Sequence, residues 1–255
     1  MGQIEVERAG AVLQIAINRP EKKNALTGDM YDALSDAVQH AEADSAIRVL
    51  LLQGKGEAFT AGNDLEDFMR KPWKDQSVPP AVRFIGTVAA ARKPIVAAVH
   101  GLAVGIGTTI LLHCDLIYAA EDTSFMMPFI DLGIVPEAAS TVLLPLWIGR
   151  QRAAELLMLC APVSARRAYE LGLVNAVVDR GALLATALRA AQQLAQKPRG
   201  AVLACKELMK RGYQAEVERA LSEEVSVISQ RLDSPETREA LSAFLEKRKP
   251  DFSRF

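Results

Sequence analysis

A chain of 255 residues, half of them apolar and carrying a formal net charge of −1, can bury one large core and has no general electrostatic pull toward nucleic acid or an anionic membrane. Its three cysteines, Cys114, Cys160 and Cys205, form neither a metal-ligand spacing nor an even disulfide set, which points to a reducing compartment. The first residues carry acids and no apolar stretch of signal-peptide length, and no apolar run reaches about eighteen residues, so a cytoplasmic protein without a membrane span is expected.

Ile4 to Arg8 and Val12 to Ile17, flanking Ala9-Gly10, predict an opening hairpin. Thr27 is placed to cap a helix whose buried stripe is Met30, Ala33, Leu34, Ala37, Val38 and Ala41. Val49 to Leu52 and Pro94 to Val99 read as buried strands, each followed by a glycine-marked turn: Ala61-Gly62-Asn63-Asp64-Leu65 and Gly101 to Gly107. Between them Lys71 to Pro80 is polar and proline-rich, the pattern of a surface connection bordering a substrate. Asp115 to Ala119 and Leu173 to Val178 add strands among helical stretches, so the fold class is α/β.

Beyond about residue 180 strand signals stop. Leu183, Leu184, Ala187, Leu188, Ala191 and Leu194 form one amphipathic stripe, and Val217, Leu221, Val225, Ile228 and Leu232 form another. Helices with such faces and no strand to lie on suit packing against a second subunit.

Both glycine turns open toward a helix, where backbone N–H groups are left free for an anion or a polarised carbonyl; close packing explains the same glycines. The segment Gly101 to Gly107 spaces its glycines as GxxxGxG, not GxGxxG, and Lys55 lacks the context of a phosphate loop, so nucleotide binding is disfavoured. Pro136-Glu137 supplies a carboxylate, although proline followed by glutamate is also an ordinary helix start. His40, His100 and His113 share no metal spacing, so no metal is expected. Asp64 suits ordering its own loop, and Asp131 is a second candidate acid.

Taken together, Asn18-Arg19-Pro20, Asn24-Ala25-Leu26, Phe59 to Leu65, Gly101 to Gly107, Cys114-Asp115 and Ala243 to Lys249 resemble the crotonase superfamily, the enoyl-CoA hydratase/isomerase family, over nearly the whole chain. The resemblance implies a spiral of ββα units that binds acyl-CoA, residues 1–195, and a helical oligomerisation region, 196–255, in trimers that commonly pair into hexamers. Coenzyme A is then part of the substrate, and no separate cofactor is implied. The thioester oxygen is expected between the main-chain amides of Asn63 and Ile106, aimed by Gly62 and Gly105. Ile106 stands where the family usually has glycine, which is expected to narrow the space beside it.

Two glutamates that serve hydratases of this family match Thr109 and Phe129 here, and neither is an acid. Glu137 is then the expected single base, as in the peroxisomal-type Δ3,Δ2-enoyl-CoA isomerases that this segment resembles. Hydratase activity and catalytically silent acyl-CoA binding are the alternatives. Coenzyme A is expected along Lys22, Lys23, Ala25, Ala61, Asp64 and Leu65, with Phe244 and Lys247 reaching it from an adjacent subunit. Acyl length is expected to depend on Phe68, the loop around Trp73, Leu144 and Trp147.

Overall fold

In the computed structural model, which describes residues 2–70 and 78–255 and the backbone alone of 68–70, the apolar runs become strands. In chain order they are β1 (Ile4–Ala9), β2 (Val12–Ile17), β3 (Val49–Gly54), β4 (Ile95–Val99), β5 (Leu102–Val104), β6 (Leu116–Ala120), β7 (Ser124–Met126), β8 (Val163–Ser164) and β9 (Ala176–Val178). The helices are α1 (Gly28–Ala43), α2 (Leu65–Arg70), α3 (Pro80–Ala90), α4 (Ile106–Thr109), α5 (Ser140–Ile148), α6 (Arg150–Met158), α7 (Ala165–Glu170), α8 (Arg180–Gln196), α9 (Arg199–Arg211), α10 (Gln214–Arg231) and α11 (Pro235–Leu245).

The hairpin forms as expected, with β1 antiparallel to β2, and the larger sheet continues in parallel in the order β1-β2-β3-β4-β6-β9. A smaller sheet joins β5, β7 and β8, with β5 parallel to β7 and β7 antiparallel to β8. Strands β3 and β4 are buried on both faces, which is why they read as unbroken apolar runs. Leu50 and Leu52 point into the main core, whereas Val49 and Leu51 meet Leu183, Ala187 and Ala191 of α8 on the opposite face. Each such fully buried leucine or valine contributes about 1.5–3 kcal/mol of apolar burial.

Three local expectations need correction. Ala33 faces outward, and Tyr31 and Ser35 complete the buried stripe of α1, whose cap is Thr27 accepting from the Met30 amide at 3.4 Å. The strand expected from Leu173 begins only at Ala176, because Asn175 replaces ladder pairing: its amide donates to the Ile117 carbonyl and its side chain accepts from the Ile117 amide, both at 2.7 Å. Pro136 is not a first helical residue; α5 starts at Ser140, so Glu137 lies in a loop ahead of the helix. Residues 71–77, including Trp73, and the Phe68 side chain lie outside the described residues.

After α8 the chain is helical, with α10 against α5 and α11 against the 3-10 turn Ile130–Leu132. Cys114 and Cys160 are buried, Cys205 is exposed, and all three are free thiols. Among the described residues, no helix is long and apolar enough to cross a membrane.

Candidate active site

The segment after β3 returns between two short backbone bridges. The Leu26 amide donates to the Gly62 carbonyl at 2.8 Å and the Asp64 amide donates to the Leu26 carbonyl at 2.9 Å. In a parallel bridge the residue between those two bonds turns its own N–H away, and that residue is Asn63. On the other side Thr60 bridges Ala103, donating to the Leu102 carbonyl at 3.0 Å and accepting from the Val104 amide at 3.1 Å.

The segment Gly101 to Gly107, expected as a single turn, holds strand β5 between Gly101 and Gly105, and its end lies beside the 61–65 turn so closely that a Cβ on Gly62 would stand 2.6 Å from the Val104 carbonyl oxygen. Gly62 has φ +86° and Gly105 φ +55°, backbone that side chains rarely adopt. Gly105 donates to the Met126 carbonyl at 2.8 Å and precedes α4, whose first amide is that of Ile106. Among the described residues the Asn63 and Ile106 amides donate to no partner. The Ile106 side chain is buried in the core near Leu26, Phe59 and Ile110 and does not line the cavity at Glu137.

Glu137 is buried, and its Oε1 has no hydrogen-bond partner among the described residues. It lies on a cavity of about 390 Å³ between α3 and α10, with Val82, Ile85, Leu221 and Ile228 on the apolar walls. Burial first, then the negative charge of Glu224, push its carboxyl up to about 8, against an opposing contribution from the Thr109 hydroxyl.

The side chains around it tie the acid to the amide pair. Thr109 sits on α4, the helix that Ile106 opens, and donates its hydroxyl to the Gly105 carbonyl at 3.3 Å. Tyr31 donates its hydroxyl to the Asn63 side-chain oxygen, and its own pKa rises through burial and the Glu137 charge. The Phe129 ring covers Gly105. Proton abstraction next to a carbonyl needs these parts: an acid of raised pKa, donors for the developing oxyanion, and apolar walls that exclude water.

Of the residues expected along coenzyme A, Lys22, Lys23 and Ala25 flank the buried Asn24, and Ala61 and Asp64 lie on the turn hydrogen-bonded to Lys23 and Leu26. Lys23 and Asn24 have φ 51° and 59°, and the Asn24 amide group donates to the Lys55 and Ala58 carbonyls at 2.8 and 2.6 Å. Ala61 donates to the Lys23 carbonyl at 2.9 Å, pinning the exposed lysines beside the 61–65 turn. The Asp64 carboxyl orders that turn. It binds Arg19 at 2.7 Å and the Glu66 and Asp67 amides at 3.1 Å, and these bonds outweigh burial and hold it below the usual carboxylate range.

Leu65 opens α2. Phe244 is exposed on α11, and Lys247 lies in a left-handed turn just beyond that helix. Leu144 is buried in the core and Trp147 is partly exposed, and neither lines the cavity at Glu137. Asp131 belongs to the short Ile130–Leu132 turn. Among the described residues no group of three histidine, cysteine or acidic side chains is disposed to hold a metal ion.

Sequence reasoning passed over Tyr31 and Glu224. Each is a polar side chain within an apolar helical stripe, Tyr31 beside Met30 and Leu34, Glu224 between Leu221 and Ile228, and that misfit was the available signal.

The family model described as enoyl-CoA hydratase/isomerase matches residues 7–254. The chain is 34% identical over 251 residues to the 1,2-epoxyphenylacetyl-CoA isomerase of Escherichia coli (strain K12), covering 95% of each chain. It is 30% identical over 252 residues to the 2,3-dehydroadipyl-CoA hydratase of the same strain, covering 99% of each. Among solved structures, the enoyl-CoA hydratase/isomerase from Pseudoalteromonas atlantica T6c superposes with a TM-score of 0.95 at 39% identity, covering 99% of this chain and 100% of that one.

Proposed function

The chain belongs to the enoyl-CoA hydratase/isomerase family of acyl-CoA enzymes, and we propose that within this family it is a Δ3,Δ2-enoyl-CoA isomerase working with one acid. The observation that carries this reading is the unpartnered buried carboxyl oxygen of Glu137 on an apolar cavity, linked through Thr109 and Tyr31 to the turns that bear the free amides. The positions where hydratases of the family keep two acids hold Thr109 and Phe129.

In the proposed reaction the ionised Glu137 takes a proton from C2 of a 3-enoyl-CoA. The electron pair of that C–H bond forms a C1–C2 double bond and the carbonyl π pair moves onto the oxygen, which takes the charge against the Asn63 and Ile106 amides while the C3–C4 double bond stays in place. As the carbonyl re-forms, the C1–C2 pair shifts to C2–C3 and the C3–C4 pair takes up a proton at C4. The protonated Glu137 then returns the proton to C4, leaving the 2-enoyl-CoA and the starting carboxylate. Donors already aimed at the oxygen favour the dienolate over the ground-state carbonyl, an effect worth roughly 2.7–4 kcal/mol per donor where one has been removed. The rim of Lys22, Lys23, Ala25, Ala61, Asp64 and Leu65 would carry the nucleotide and pantetheine, with Phe244 and Lys247 closing over the coenzyme of an adjacent subunit.

Parallel assays of 3-enoyl-CoA isomerisation and crotonyl-CoA hydration test the reading. Isomerisation without appreciable hydration is the expected result. Hydration at a comparable or greater rate would replace the isomerase reading with a hydratase, and binding without either turnover would replace it with a silent acyl-CoA carrier.

A further inference from the structure

Glu224 is one of three carboxyls on the cavity, with Glu137 and Glu218, and the reaction above gives it no task. It projects from α10 beside Leu221, Val225 and Ile228 and is 5% exposed. Its Oε2 accepts the Ala139 amide at 2.7 Å, and its Oε1 accepts the Thr141 amide at 3.1 Å and the Thr141 hydroxyl at 2.6 Å. All three donors lie at the start of α5, immediately after Glu137 in sequence but more than eighty residues from Glu224.

The residues linking Glu137 to that helix, Ala138 and Ala139, have φ 59° and 54°, a left-handed pair built without glycine. Non-glycine backbone keeps such values only where its surroundings fix it. Two bonds from different elements do so. The Glu224 carboxylate holds the Ala139 amide, and His113 donates from Nε2 to the Ala138 carbonyl at 2.9 Å.

We propose that Glu224 is a positioning residue for Glu137, a role that rests on the reading of Glu137 as the base: it clamps the left-handed turn that aims Glu137 and brings a second negative charge to the same cavity wall. That charge is, after burial, the next cause of the raised Glu137 titration. Glu224 is itself raised by burial, against its bonds to Thr141 and Ala139.

Among the described residues, the groups facing the pair bring hydrogen-bond donors but no free cation. Tyr31 comes from α1 with its pKa raised, and Glu218 comes from α10 on the cavity wall. His113 beneath Ala138 is held neutral by burial, with its pKa lowered to about 4. Thr109 of α4 offers only a hydroxyl, and Arg83 of α3 is engaged by Asp32 and Asp36. Among the described residues, no lysine or arginine contributes to the shift of either carboxyl.

The test is a pH titration of the intact protein labelled with carbon-13 at the glutamate carboxyls, with the Glu137 signal assigned by its loss in Glu137→Gln. In Glu224→Gln, which keeps size and loses charge, the Glu137 midpoint is expected to fall by about one pH unit or more. The acid limb of kcat/KM for 3-enoyl-CoA is expected to fall with it. Thr141→Val, which removes only the hydroxyl donor and so weakens the Glu224 charge, is expected to move the midpoint less and in the same direction.

An unchanged Glu137 midpoint in a folded Glu224→Gln protein, as judged by circular dichroism, overturns the proposal. If that variant does not fold, an unchanged midpoint in Thr141→Val does so. A midpoint that moves in Glu224→Gln while the unaltered protein itself fails to isomerise 3-enoyl-CoA would instead sink the isomerase reading and keep the coupling of Glu224 to Glu137, so the two failures are separable.

Discussion

Glu137 shows how one side chain acquires chemistry from its surroundings. A carboxyl that in water is almost wholly ionised at neutral pH is here held protonated to about 8 by burial and by the charge of Glu224. The base must be ionised to take a proton, and kcat/KM reports the free enzyme, so the expected profile rises with pH and levels off above about 8. A rate that is flat from pH 5 to 9, or that falls across that range, would show that a different group takes the proton. The candidate acid stood out in the sequence through Pro136-Glu137 and the non-acidic residues at 109 and 129, while its burial and its unpartnered oxygen did not. Its partners were not, because Tyr31 and Glu224 reach the site from helices distant in sequence, and only the fold brings them near.

At the level of elements, apolar runs and periodicity located the six strands of the larger sheet and helices α1, α8 and α10 but not the short strands β5, β7 and β8, since burial on both faces of β3 and β4 and on one face of α1 and α8 writes itself into residue order. What it could not locate were boundaries set by single side chains, such as Asn175 delaying β9 and the left-handed alanines delaying α5. The turn at Gly62 belongs to this scale, because two loops meet there with no room for a Cβ. Gly62→Ala is expected to lower turnover about a hundredfold or more by displacing the Asn63 amide, and to lower the melting temperature. Gly10→Ala, also at positive φ but with nothing within 4 Å of a new Cβ, is expected to lose some stability and keep its turnover. Equal kinetic losses in both proteins would show that the close approach of the two turns has no bearing on catalysis.

Across the whole molecule, the fold class and the family were readable because several separated motifs occur in one order along the chain. Specific activity was not, since relatives of comparable identity are named for an isomerase and for a hydratase. The C-terminal helices leave Leu208, Met209, Phe244 and Leu245 exposed, and their burial between subunits is proposed to hold trimers or hexamers. Sedimentation velocity is expected to give three or six chains; a monomer at micromolar concentration would contradict both the assembly and a shared coenzyme site.

The most direct measurement of the central claim is the steady-state rate of 3-enoyl-CoA isomerisation by Glu137→Gln, a change that preserves shape and removes the ability to accept the proton. Loss of kcat by a factor on the order of 10² to 10⁴, with acyl-CoA affinity retained, is the expected result. Turnover at the wild-type rate would contradict it.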